Sequence, residues 1–206
     1  MKLLATRRLV LGMAALAAAS LSAVSLSVVP AIAADSPAQL IQSVADEVIQ
    51  IIKSAKGPDR EAAIQKILTT NFDMSYLGRA ALGTHWDKTT PPERDRYLAA
   101  AASAEAHAYS ERFGQYAGQT LTVGRVSQRG AGVSLVDSKL NQSDGGAPIT
   151  IQWEVRDTGQ GLRITDVKVE GVSMVMTRRS DFNSYISSHG GQVEPLIQEL
   201  ENRAKK

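Results

Sequence analysis

The sequence predicts an α+β domain with a four-stranded antiparallel sheet and helices on both sides of the strands in chain order. Residues 36–113 carry apolar side chains at helical spacing, and residues 119–170 alternate apolar and polar side chains as strands do. Helical spacing returns after Gly171. Helices first, a run of strands next and helices last are typical of an α+β domain with a strand meander.

The first 33 residues predict a cleaved export signal. Lys2, Arg7 and Arg8 precede an uncharged apolar run over residues 9–29, and residues 31–33 (Ala-Ile-Ala) form the small-x-small pattern that signal peptidase reads. Residues 6–11 resemble a twin-arginine signal, which leaves both that route and the general export route open. An uncleaved membrane anchor is the competing interpretation. The processing motif favours cleavage before Ala34, a single domain over residues 34–206 and a soluble periplasmic protein.

Charge and cysteine content exclude several classes of function. Removing Lys2, Arg7 and Arg8 from the 23 Lys and Arg leaves 20 against 21 Asp and Glu, so the mature chain is close to neutral. A neutral chain lacks the basic surface that nucleic-acid binding requires. The sequence has no cysteine, which excludes disulfides, thiolate catalysis, cysteine metal ligands and a lipoprotein anchor.

Three shorter helices precede a long one. Ser36 followed by Pro37 predicts the start of the first, and residues 57–59 (Gly-Pro-Asp) end it and start the second. A third is expected through Phe72 and Leu82 to a stop at Gly83. Residues 90–93 (Thr-Pro-Pro-Glu) form a capping box that opens the longest helix, over residues 91–113.

The apolar stripe of the long helix is built largely of alanine. Its members are Leu98, Ala102, Ala106, Tyr109, Phe113 and, beyond the helix end, Tyr116. Small side chains in the middle of such a stripe indicate either close packing of another helix or volume left unfilled. The sequence leaves both interpretations open.

Four strands are expected between residues 119 and 169. The third is the clearest, because Ile151, Trp153 and Val155 alternate with polar residues, as in an antiparallel sheet covered on one face. In the fourth strand the apolar phase flips near Thr165 and Asp166, which predicts a β-bulge or a strong bend.

Residues 166–188 change from strand to helix at Gly171, and a last amphipathic helix follows residues 190–191 (Gly-Gly). We expect Val172, Met174 and Met176 to face the sheet, opposite the alanine-rich helix, as one wall of an apolar cavity. Methionine suits a wall that adapts to mobile chains, although it fills ordinary cores equally well.

The sequence offers few candidate catalytic groups. His85, His107 and His189 lie in separate segments with no second histidine at a ligand spacing, so no metal site is expected. Asp166 and the other aspartates at element boundaries fit capping roles. Phosphate-binding loops and nucleophile elbows are absent from the sequence. We expect no catalytic residue and no cofactor, with an Asp or His site in the cavity as the enzymatic alternative.

Arg178 and Arg179 follow the strand-to-helix passage. One of their guanidinium groups could meet a phosphate at the mouth of a cavity. The competing interpretation is a solvated pair that assists solubility or the docking of a partner.

Two blocks of the sequence resemble the MlaC family, the periplasmic phospholipid-binding proteins also called toluene-tolerance auxiliary proteins. The first block comprises residues 72–74 (Phe-Asp-Met), 82–86 (Leu-Gly-Thr-His-Trp) and 90–98 (Thr-Pro-Pro-Glu-Arg-Asp-Arg-Tyr-Leu). The second comprises residues 167–175 (Val-Lys-Val-Glu-Gly-Val-Ser-Met-Val), 179–182 (Arg-Ser-Asp-Phe) and 190–191. Together they extend the resemblance over roughly residues 37–200.

The resemblance implies a twisted antiparallel sheet packed against N-terminal and C-terminal helices around a deep apolar pocket for acyl chains. It implies transport of phospholipid between an outer-membrane lipoprotein complex and an inner-membrane ABC transporter complex, with no metal, cofactor or catalytic residue. Applied to this chain, it implies a pocket lined by Leu98, Ala102, Tyr109, Val123, Leu135, Ile151, Trp153, Val155, Val169, Val172, Met174 and Met176. Arg178 and Arg179 are the expected contacts to a head group or partner.

The sequence leaves the cargo and the class of function open. A related branch of the family is associated with hopanoid lipids, and the alanines of residues 99–106 stand where family members carry bulkier residues, which would admit a wider or flatter lipid. Two further classes of function also fit the sequence: a small periplasmic enzyme, and an apolar adaptor that binds only proteins.

Overall fold

The computed structural model describes residues 36–116 and 118–205. Within them the helices are α1 (Pro37–Ser54), α2 (Gly57–Asn71), α3 (Met74–Leu82), α4 (Pro91–Phe113), α5 (Met174–Ser188) and α6 (Glu194–Arg203), with a 3₁₀ turn at Gly83–Lys88. The strands are β1 (Thr120–Gly130), β2 (Val133–Asn141), β3 (Ile149–Asp157), β4 (Leu162–Val169) and β5 (Val172–Ser173). The predicted α+β class is confirmed. The predicted export signal, residues 1–33, lies outside the described residues, and its boundary stays a prediction.

The predicted starts of α1 and α4 are confirmed by reciprocal hydrogen bonds. The Ser36 hydroxyl accepts from the Gln39 N–H at 3.3 Å, and the Gln39 side chain accepts from the Ser36 N–H at 2.8 Å. Thr90 and Glu93 make the same two contacts at the start of α4, at 3.4 and 2.7 Å. Each capping box satisfies two of the amide donors that the first helical turn leaves unpaired.

Phe72 lies before the third helix instead of inside it. The Asp73 carboxylate caps α3 by accepting from the Tyr76 N–H at 2.9 Å, so the helix begins at Met74. Phe72 makes a parallel bridge to Ile164 of β4, and the Asp73 N–H donates to the Ile164 carbonyl at 3.0 Å. These contacts attach the α2–α3 junction to the sheet.

The sheet is an antiparallel meander in the order β1-β2-β3-β4-β5. It contains the four predicted strands and a fifth of two residues, which is too short for periodicity to reveal. A two-residue turn joins β4 to β5, with positive φ at Glu170 (49°) and Gly171 (81°). Positive φ at both positions is the signature of the tight hairpin turns that match strand twist.

The predicted β-bulge lies in β4. Glu154 pairs with Asp166, but Val155 pairs with Ile164, so Thr165 is an extra residue with no partner across the ladder. Thr165 is fully buried, and its hydroxyl donates to a Glu154 carboxylate oxygen at 3.0 Å. The extra residue moves the apolar side chains of β4 from one phase to the other, as the sequence predicted.

The apolar face of the sheet packs on α1. Ile41 of α1 forms one buried cluster with Val136, Val155 and Ile164 of the three central strands. A second cluster joins α3, α4, α5 and α6 around Tyr97, whose hydroxyl donates to the Gly78 carbonyl at 3.2 Å.

None of the helices in the described residues is long and apolar enough to cross a membrane.

Glu154 is a nearly buried carboxylate, 10% exposed, held by three donors. It accepts from Arg129 at 3.1 Å, from Arg156 at 3.0 Å and from Thr165 at 3.0 Å. Burial by itself raises the pKa of Glu154, but the hydrogen bonds from Arg156 and Thr165 and the charges of both arginines outweigh it. The pKa of Glu154 therefore lies below its ordinary value.

We expect Glu154→Gln to lower the free energy of unfolding by about 2 kcal/mol at neutral pH, because charge-assisted hydrogen bonds are lost. A carboxylate with a lowered folded pKa stabilises the protein above its unfolded pKa of about 4.3, and loses that contribution as the pH falls through the folded value. Urea unfolding at a series of pH values should therefore show a shallower acid-side loss of stability for Glu154→Gln than for wild type. Glu111→Gln, an exposed change on α4, is the control. Equal acid-side slopes would contradict this assignment.

Candidate functional site

A cavity of about 220 Å³ lies among α2, α3, α4, α5 and the end of β4. Its walls are mainly apolar, with Leu77 and Ala81 from α3, Phe182 from α5 and Val167 from β4. Met174 and Val175, at the start of α5, also line it. The sheet thus contributes only one edge of the cavity, and helices supply the rest.

One face of α4 forms a wall of the cavity. Leu98, Ala101, Glu105, Tyr109 and Arg112 all line it, and successive members are three or four residues apart, which places them on one side of a helix. The predicted stripe ran through Ala102 and Ala106 instead. Glu105 and Arg112 were missed because the prediction selected only apolar residues, although both share this spacing.

The alanines of α4 serve mainly close packing. Ala100 and Ala104 are buried in the cluster that contains Leu196 and Ile197 of α6, and Ala106 packs with Ile64 and Leu68 of α2. Small side chains let these helices approach α4 closely. Ala101 belongs to the cluster around Tyr97 and also lines the cavity.

An ion pair lies at the cavity between α4 and α5. Arg178 donates two hydrogen bonds to Glu105, one from Nη2 to Oε2 at 3.1 Å and one from Nε to Oε1. Arg178 also approaches Asp181, with Nη1 and Oδ2 3.5 Å apart. The hydrogen bonds to Glu105 raise the pKa of Arg178. This guanidinium is therefore charged and bidentate on a carboxylate.

The ion pair is on the solvent side of the cavity. The side chains of Arg178 and Glu105 are 35% and 23% exposed, whereas Ala81, Tyr97 and Phe182 are buried. Burial raises the pKa of Tyr97, and the nearby Glu105 adds to the effect. The cavity thus has an apolar interior and a charged rim.

Residues 166–188 pass from strand to helix, and the beginning of this segment lines the cavity. The Asp166 carboxylate accepts from the Val167 N–H at 2.8 Å and from the Val175 N–H at 3.3 Å, which joins β4 to the start of α5. This contact assigns Asp166 a structural role. Val172 and Met176 are 56% and 54% exposed and do not line the cavity.

Four of the predicted site residues line the cavity: Leu98, Tyr109, Met174 and Arg178. Val123, Trp153 and Val155 instead belong to the cluster that packs on α1. The predicted residues outside the cavity are Ala102, Val123, Leu135, Ile151, Trp153, Val155, Val169, Val172, Met176 and Arg179. The physical reason is that α1 covers the apolar face of the sheet, so the strand side chains there contact a helix.

The two adjacent arginines point in different directions. The Arg179 side chain is exposed, and its Nε lies 2.8 Å from the position that a Cβ would take at Gly83. Successive helical residues are about 100° apart, so Arg178 and Arg179 cannot share one partner surface. Of these two arginines, only Arg178 lines the cavity.

The histidines occupy three separate places outside the cavity. His85 Nε2 lies 3.1 Å from Asn183 Oδ1, His107 Nδ1 lies 3.0 Å from Glu61 Oε2, and His189 stacks on Tyr185. In the described residues no group of three or more His, Asp or Glu side chains could hold a metal ion. The arrangement therefore places no histidine beside Asp166 for acid–base chemistry.

Most of the chain matches a known protein family. Residues 42–202 match the sequence model of the family described as MlaC protein. The chain is 20% identical over 186 residues, 85% of its length and 86% of the other, to the intermembrane phospholipid transport system binding protein MlaC of Haemophilus influenzae.

A solved structure shares the fold. It is the phospholipid-binding protein of Ralstonia solanacearum in complex with a phospholipid, with a TM-score of 0.67 and 20% identity. The match covers 81% of this chain and 95% of the other. This similarity concerns the arrangement of helices and strands.

Proposed function

This chain belongs to the MlaC protein family, and we propose that it binds a phospholipid in the cavity among α2, α3, α4 and α5 and carries it between membranes. The observation that carries the proposal is an apolar cavity with the Arg178 guanidinium on its solvent side, where it binds a carboxylate in bidentate fashion. Acyl chains suit the interior, and the phosphate suits the rim. The two relatives support the same cargo, because one is a binding protein of intermembrane phospholipid transport and the structure of the other contains a phospholipid.

The size of the cavity implies that it expands when lipid enters. Its volume of about 220 Å³ is below the range of roughly 300–1,000 Å³ typical of sites for drug-sized ligands. A lipid with two acyl chains is larger than such a ligand. Leu98 and Met174 line the cavity and are only partly buried, so we expect their side chains to move when it expands.

Transport of this kind needs no catalytic group. Hiding one methylene from water contributes about 0.8 kcal/mol, but acyl chains in a bilayer are already out of water. Transfer from bilayer to an apolar cavity is therefore close to balanced. Direction must come from the proteins that load and unload the carrier, and the cargo leaves chemically unchanged.

We further propose that the carrier works in the periplasm after removal of residues 1–33. Its partners would be an outer-membrane lipoprotein complex and an inner-membrane ABC transporter complex. Membership of the family and the predicted export signal support this location and these partners. Arg178 favours a phospholipid over a hopanoid, because a phosphate accepts two hydrogen bonds from a guanidinium in the same way as a carboxylate.

Native mass spectrometry of protein isolated from a periplasmic extract tests the proposal. We expect a bound species whose mass equals that of an intact phospholipid. Delipidated protein incubated with vesicles of phosphatidylethanolamine and phosphatidylglycerol should regain the same species. Protein that stays empty in both experiments would exclude lipid carriage, and a bound hopanoid would reassign the cargo.

A further inference from the structure

We propose that Glu105 occupies the position on Arg178 that the phosphate of a bound lipid takes, so that carboxylate and phosphate compete for one guanidinium. Arg178 then provides the preference for phosphate-bearing lipids, and Glu105 limits how strong that preference is. This inference rests on the proposed function. It adds a specificity-determining residue on α4, the wall opposite Arg178.

Each nitrogen of the Arg178 guanidinium lies against a carboxylate. Nε and Nη2 contact the two oxygens of Glu105, and Nη1 faces Asp181 at 3.5 Å. A phosphate that binds the Nε–Nη2 edge in bidentate fashion must replace Glu105, and one that binds the Nη1–Nη2 edge meets Asp181 beside Nη1. Asp181 is the weaker competitor, because its contact is longer and its side chain is 57% exposed.

Carboxylate and phosphate are interchangeable partners for this group. Both present two oxygens at the spacing of the guanidinium fork, and arginine binds both in bidentate geometry. Exchange of one anion for the other keeps two charge-assisted hydrogen bonds. Head-group binding therefore costs little, provided that the carboxylate of Glu105 can move into solvent.

The position of Glu105 permits that movement. Its side chain is 23% exposed and lies on the solvent side of the cavity. A lipid with its acyl chains in the apolar interior must place its phosphate at this rim. When phosphate displaces it, the partly exposed Glu105 carboxylate turns into the solvent.

The competition makes the binding preference measurable with two lipids that differ only in phosphate. Dioleoyl phosphatidic acid and dioleoylglycerol have the same chains, so the ratio of their affinities reports the contribution of phosphate. Removing the competing carboxylate with Glu105→Gln should raise that ratio about tenfold, the effect of losing one charge-assisted hydrogen bond. Arg178→Gln should remove the preference for phosphatidic acid.

The test measures partition of each lipid between vesicles and wild-type protein, Glu105→Gln, Arg178→Gln and the double variant. The double variant should behave as Arg178→Gln does, because Glu105 acts only through Arg178. Arg178→Lys keeps the charge without the fork and should show an intermediate preference. Glu111→Gln on exposed α4 surface and Arg203→Gln, whose partner is Glu199 on α6, are the matched charge controls.

The outcomes separate this inference from the proposed function. Lipid binding with equal ratios for Glu105→Gln and Glu111→Gln would overturn the role of Glu105 and leave carriage intact. If neither lipid binds to wild-type protein or to any variant, both the role of Glu105 and the proposed lipid carriage would be overturned. Glycerol 3-phosphate that binds as tightly as phosphatidic acid would identify a site for soluble phosphate compounds and overturn the head-group assignment.

Discussion

Ala101→Trp is expected to abolish phospholipid retention while the protein stays folded. Ala101 is 9% exposed and lines the cavity of about 220 Å³, so an indole there occupies space that acyl chains require. Exclusion of even two methylenes costs about 1.6 kcal/mol, which is more than tenfold in affinity. Native mass spectrometry and partition from vesicles measure the loss, and circular dichroism checks the fold.

The same helix offers a matched control. Ala99 is exposed on α4, so Ala99→Trp adds the same side chain without entering the cavity and should retain lipid as wild type does. Overpacking at Ala101 costs about 1–3 kcal/mol in stability, so Met174→Trp provides a second obstruction at a partly buried cavity position. Wild-type retention by both cavity variants would place the lipid site elsewhere.

Val155→Asp is expected to unfold the domain. Val155 is 1% exposed and packs with Ile41 of α1 and Val136 of β2. An unpaired carboxylate there costs about 4 kcal/mol or more, a large share of the roughly 5–15 kcal/mol that stabilises a typical domain. Lipid retention should be lost only as a consequence, since Val155 contacts α1 and does not line the cavity.

Urea unfolding followed by circular dichroism measures this change. Val126→Asp is the control, because Val126 is on the neighbouring part of the sheet but 38% exposed, and its replacement should shift the midpoint little. A cooperatively folded Val155→Asp protein with the wild-type midpoint would mean that α1 does not pack on the sheet as described.

The predictions that succeeded depend on local interactions. The N-cap serine and proline at residues 36–37 and the capping box at Thr90 predicted where α1 and α4 begin, because capping hydrogen bonds join residues three apart. The change of apolar phase at Thr165 predicted the bulge in β4. The blocks of family-like residues predicted the fold class and the family.

The site was predicted only in part, because its members come from distant segments. Glu105 and Arg178 are 73 positions apart, and nothing in the pattern around either residue indicates the other. Leu68, Phe72 and Phe182 line the cavity, yet each has the apolar character of an ordinary core residue. Glu105 and Arg112 lie seven and fourteen residues after Leu98, so helical spacing places all three on one face of α4. The sequence could have predicted them only if charged residues had been considered as part of a cavity wall.

The sequence by itself determined where α1 and α4 begin, the meander of the four longer strands, the bulge in β4 and the family. Tertiary structure alone decided that α1 covers the apolar face of the sheet and that the cavity lies among the helices. The physical reason is that hydrogen bonds and periodicity act over a few residues, whereas apolar burial has no direction. Any apolar face can be buried against any other, so only the tertiary structure shows which faces pack together and which line a cavity.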